Sequence, residues 1–103
     1  VTWHRACRRQ DIPVGRGWPV RFGEVYLAVF DTPVGFRALE NRCLHVGNPI
    51  DDGLVSGTVL TCPWHGWRYD VDSGDRISTA GRRSGLRTFP VRVDGDDVYV
   101  DVP

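Results

Sequence analysis

Lysine is absent from this chain of 103 residues, and all thirteen basic residues are arginine. Thirteen acidic residues match them, so the formal net charge is zero. A chain without excess positive charge lacks the electrostatic footprint of a nucleic-acid or anionic-membrane binder. No apolar run approaches the roughly twenty residues that span a bilayer. No signal-like segment follows Val1. A cytoplasmic protein is therefore expected. Cysteine is scarce, with three in all. Three thiols without a leader argue against a disulfide framework. Also missing are sustained 3.6-residue periodicity with caps, solenoid repeats and low-complexity tracts, which excludes helical bundles and repeat arrays.

What is present is turn chemistry. Twelve glycines and seven prolines punctuate short β-like runs. Val20–Phe22, then Gly23-Glu24, then Val25–Phe30, a turn over 31–35 and Phe36–Leu39 read as an antiparallel meander. Trp67-Arg68-Tyr69 is a further strand before a turn at Asp72-Ser73-Gly74. Leu86–Val93 alternates loosely and contains Pro90, which marks an edge or a strand end. Asp94–Asp97 turns the chain into Val98–Val102, so a C-terminal hairpin is expected. At most, Asp11-Ile12-Pro13 starts a turn or a short helical turn. The expectation is one all-β domain over 1–103. A two-part insert over 43–67 lies between its strands as a subdomain.

That insert carries the chemistry. Cys43-Leu44-His45 is followed by sixteen residues and then Cys62-Pro63-Trp64-His65. Thiolates and neutral imidazoles suit zinc or iron–sulfur chemistry, not calcium or magnesium. Two mixed pairs admit two readings. One is a mononuclear Cys2His2 zinc site in an interaction module. The other is a [2Fe–2S] cluster with two Cys on one iron and two His on the other. Each short arm supplies one Cys and one His. Val46-Gly47-Asn48 and Gly66 supply backbone donors and close approach beside them. Nothing resembles a zinc-finger helix with histidines one turn apart. These features favour the cluster.

The same residues resemble the Rieske [2Fe–2S] proteins. The likeness takes in Asn41-Arg42, the two arms through His65-Gly66-Trp67, Asp52-Gly53, Tyr69-Asp70, Ser73-Gly74 and Phe89-Pro90-Val91. It implies three small antiparallel sheets with the cluster at the tip of the 43–67 subdomain. It implies Cys43 and Cys62 on the inner iron, and His45 and His65 on the solvent-facing outer iron. High-potential members carry an extra disulfide between the arms; Asn48 and Trp64 stand at those positions here. Trp67 replaces a serine that donates to a sulfur in those members, while Tyr69 stands where they have a hydrogen-bonding tyrosine. The resemblance thus points to the low-potential, soluble type of bacterial aromatic-ring dioxygenase systems. The last hairpin ends at Pro103 without a mononuclear-iron catalytic domain. The expected function is a one-electron ferredoxin, not itself an enzyme and a monomer on its own. Its expected partners are a flavin-dependent ferredoxin reductase and a terminal oxygenase. A Rieske-like small subunit of a reductase complex, such as a nitrite reductase, is the alternative within the family.

Other chemistry-bearing residues have simpler readings. Cys7 is a small buried residue of the first strand; the alternative is a redox thiol among Arg5, Arg8 and Arg9. His4 is a surface residue near the N-terminal end. Trp67 packs under the loops, and Trp64 either does so or forms an exposed docking rim. Arg42, Arg68, Asp51 and Asp52 are solvated surface, or a steering cluster if they converge.

Overall fold

A computed structural model describes residues 2–44, 47–64, 66–83 and 85–103. Among these, twelve strands form. They are β1 (Trp3–Arg8), β2 (Gly17–Phe22), β3 (Val25–Thr32), β4 (Gly35–Glu40), β5 (Leu54–Ser56) and β6 (Val59–Thr61). There follow β7 (Arg68–Asp70), β8 (Arg76–Ser78), β9 (Gly81–Arg83), β10 (Thr88–Phe89), β11 (Val91–Asp94) and β12 (Asp97–Asp101). They make three sheets in the orders β1-β12-β11, β10-β4-β3-β2 and β5-β6-β7-β8-β9, and every pairing is antiparallel. The three-sheet, all-β expectation is met. No helix among the described residues is long and apolar enough to cross a membrane.

The run Val25–Phe30 is continuously apolar because its strand is covered on both faces. Leu27 and Val29 point into one core with Cys7, Val98 and Val100. Ala28 and Phe30 point into the other with Leu60, Tyr69, Cys43 and Cys62. Neighbouring β4 divides in the same way, Ala38 to the first core and Leu39 to the second. The β2–β3–β4 meander is therefore the middle layer. Outside it, β12 alternates cleanly, with Val98 and Val100 buried and Asp97, Tyr99 and Asp101 half-exposed.

Several boundaries differ from expectation. The turn read over 31–35 is tighter, since Asp31 and Thr32 still pair with Phe36 and Gly35. The Thr32 hydroxyl donates to the Gly35 carbonyl at 2.6 Å and accepts the Val34 N–H, which closes the turn from within. Leu86–Val93 is not one strand. Pro90 separates β10, in the middle sheet, from β11, in the outer one. A residue without an N–H sits where the chain changes layers. The helical turn near the N-terminus is a 3-10 turn over Arg9–Asp11, ending rather than starting at Asp11, whose carboxylate accepts the Arg8 N–H at 2.9 Å. Cys7 lies in the first strand and is buried, in no disulfide. Burial, with Asp11 adding and Arg5 opposing, pushes its thiol up to about 11, which favours the small-buried-residue reading over the redox thiol.

The five-stranded sheet is anchored where two backbone segments cross. Leu86 N–H donates to Gly74 O at 2.7 Å. A Cβ on Gly85 would overlap the Gly74 carbonyl and come within 2.7 Å of the Arg76 nitrogen. Gly85→Ala is expected to destabilise the protein by about 1–3 kcal/mol through this overpacking. Chemical denaturation checks it, and an unchanged midpoint would contradict the close crossing.

Candidate metal centre

The two arms share one backbone frame. Cys43 N–H donates to Asn48 O at 2.6 Å, and Gly47 N–H donates to Cys43 O at 2.6 Å. Nineteen positions on, Cys62 N–H donates to Trp67 O at 2.7 Å, and Gly66 N–H donates to Cys62 O at 3.1 Å. Each loop thus closes on its cysteine through both backbone groups. Closure at that length needs left-handed backbone four residues after the Cys. Gly47 and Gly66 supply it with φ of 76° and 71°. The frame explains why glycine stands at both places. It also places each cysteine at the root of its loop.

Both thiols are interior. Cys43 is 0% and Cys62 1% exposed, in one buried cluster with Leu60, Tyr69 and Ile50. Two acidic, soft donors in an apolar interior are unfavourable as thiolates unless a cation takes their charge. Buried thiols on matched loops therefore fit a metal group bound between the arms. His45 and His65 lie outside the described residues, and no group of three or more ligating side chains occurs among the described ones.

Tyr69 ties the centre to the fold. It is fully buried on β7. Its hydroxyl accepts the Leu44 N–H at 3.0 Å and lies 3.5 Å from Cys43 Sγ. A metal-bound thiolate at Cys43 would carry no proton, so in that state the phenol would be the donor of this pair. Burial first, then the Cys43 hydrogen bond, raise the phenol well above its usual value; the Leu44 N–H opposes them, and the charges of Cys43 and Cys62 add. Tyr69 is the hydrogen-bonding tyrosine that the sequence led one to expect.

Asn41 holds the first arm at its base. Its side-chain oxygen accepts N–H groups of Ile50 at 2.7 Å and Asp51 at 3.1 Å, and its amide donates to the Asp51 carboxylate at 3.0 Å. Asp51 is thus built into the loop, contrary to the solvated reading, and its carbonyl also accepts the Gly17 N–H. Arg42 pairs with Glu40 at 2.7 Å, whereas Asp52 and Arg68 are exposed. Trp67 is half-buried against the core, whereas Trp64 is 58% exposed and Leu44 37%. An open groove of about 390 Å³ runs past Cys62, lined by Arg16, Asp52, Leu54, Thr61, Pro63 and Gly66. Sequence reasoning gave no role to Arg76, whose guanidinium lies 3.4 Å from the Trp67 ring centroid. No local pattern signals a contact across a strand pair.

Residues 2–90 match the model of the Rieske [2Fe-2S] domain. The chain is 30% identical to the ferredoxin component of the naphthalene 1,2-dioxygenase system of Pseudomonas aeruginosa, over 97% of this chain and 95% of that protein. A chain in the solved complex of reduced oxygenase and oxidized ferredoxin of carbazole 1,9a-dioxygenase superposes with a TM-score of 0.81 at 32% identity, covering 95% of this chain and 91% of that one. The Sphingomonas yanoikuyae B1 ferredoxin superposes with a TM-score of 0.86 at 25% identity, covering 99% of this chain and 100% of that one.

Tyr69→Phe is expected to lower the midpoint potential, because a donor to sulfur stabilises the more negative, reduced state. A bond stronger by about 1 kcal/mol in that state corresponds to roughly 40 mV for one electron. Redox titration of the loaded protein checks the shift, and no change would contradict the donor role.

Proposed function

The chain belongs to the Rieske [2Fe-2S] domain family, and we propose that it is a ferredoxin that carries single electrons from a flavin-dependent reductase to a terminal oxygenase of the aromatic-ring dioxygenase type. We place it in the cytoplasm as one Rieske domain over 1–103, with the cluster-binding subdomain at about 43–67. Cys43, His45, Cys62 and His65 would hold one [2Fe–2S] cluster, thiolates inward and imidazoles outward. When bound, the cluster takes up and gives back one electron at a time.

The observation that carries this reading is the pair of matched loops, each rooted on a buried cysteine. Their shared frame brings two thiols into one interior cluster. Leu44, which follows Cys43, and Trp64, which precedes His65 in sequence, are exposed apolar side chains of these arms. Exposed apolar groups adjacent in sequence to the ligands suit a transient redox contact, which must form and part quickly. The similarity to ferredoxin components over nearly their whole length supports a carrier, which makes and breaks no substrate bond.

Trp64 is the residue of these arms best placed to touch a partner. Trp64→Ala is expected to slow electron delivery to a terminal oxygenase by roughly tenfold or more, the effect of losing an aromatic interface anchor. Its midpoint potential should remain that of the native protein. Stopped-flow mixing of the reduced protein with oxidised oxygenase measures the rate. Failure of the native protein to deliver an electron to any such oxygenase would count against the proposed role.

A further inference from the structure

Arg76 begins β8, where it registers opposite Tyr69 on β7 and Arg83 on β9. Its guanidinium lies 3.4 Å from the centroid of the Trp67 ring. The other arginine–ring contacts among the described residues lie between 4.4 and 5.8 Å. Its Nε is buried and has no hydrogen-bond partner among the described residues. Of the other arginines of this sheet, Arg82 pairs with Asp70, while Arg68 and Arg83 are exposed to water, unlike half-buried Arg76. Arg76 forms no ion pair among the described residues. A half-buried cation without a carboxylate and with a desolvated donor is unfavourable, and the Trp67 ring face offsets only part of that.

Trp67 leads from this cation to the metal centre. Its carbonyl accepts the Cys62 N–H at 2.7 Å, and its side chain packs on the buried cluster that contains Cys43 and Cys62. We propose that Arg76 is a positioning residue and a fixed positive charge behind the second arm: it clamps Trp67 and raises the reduction potential of the cluster. The proposal rests on the Rieske reading above. With two thiolates, two neutral imidazoles, two sulfides and two ferric irons, the oxidised site carries no net charge. One electron from the reductase leaves it with one negative charge; no bond forms or breaks and no proton need move. An unneutralised cation in surroundings of low dielectric favours the state that has gained that negative charge. The absence of a carboxylate partner then has a use, since a partner would cancel the field.

The test is a dye-mediated redox titration of the loaded native protein and of Arg76→Lys, Arg76→Met and Arg76→Gln. The expected result is a downward shift of midpoint potential in Met and Gln, a near-native potential in Lys, and the same oxidised visible spectrum in all four. Neutral variants that keep the native potential would overturn the proposal. So would a Lys variant shifted as far as the neutral ones, because geometry and not charge would then be responsible. Loss of the cluster from both neutral variants while Lys loads normally would also overturn it, leaving a purely structural role. A native protein with no reducible iron chromophore would instead defeat the Rieske reading itself.

Discussion

Everything at the metal centre depends on how each cysteine spends its own backbone. Cys43 and Cys62 use both N–H and C=O to close the loop that follows them. The backbone polar groups of two buried residues are thereby satisfied without help from a sheet. Their side chains are left pointing inward from fixed roots. A glycine in left-handed conformation makes each closure possible. The rest of the fold supplies walls: the middle sheet behind, Tyr69 from β7 on the Cys43 side and Trp67 on the Cys62 side.

The doubly covered middle sheet makes those walls rigid. Because β3 and β4 send alternate residues into two cores, a shift of one residue in their register would misplace apolar side chains on both faces. The second core holds both cysteines together with Phe30, Leu39 and Tyr69, so the site is part of the protein's packing and not an appendage to it. Asn41 leaves the end of β4 and fastens the far end of the first arm through Ile50 and Asp51. Sheet, arm and thiol are continuous through a few residues.

The sequence was informative where one residue type had a single physical use. The cysteine–histidine pairs, the glycines after them, the central meander and the C-terminal hairpin could each be read locally. Tyr69 could be read too, by resemblance. The five-stranded sheet could not: β5, β6, β8 and β9 are three residues long and mostly exposed or half-buried, too short for an alternation to be read. The layer change at Pro90 was hidden because a proline break looks the same within one sheet or between two. Asp51 reads as an ordinary surface carboxylate until Asn41, ten residues away, is seen to hold it. Arg76 over Trp67 depends on a β7–β8 pairing that no motif announces.

The central claim is that two arms of one backbone frame hold a two-iron site, with thiolates on the buried iron and imidazoles on the outer one. Electron–nuclear double resonance on the reduced, iron-loaded protein tests it most directly, since only nitrogens bound to the cluster would couple strongly to its unpaired electron. Two distinct nitrogen couplings are predicted, one lost in His45→Cys and the other in His65→Cys. A reduced signal with no strongly coupled nitrogen, or with only one, would contradict the arrangement.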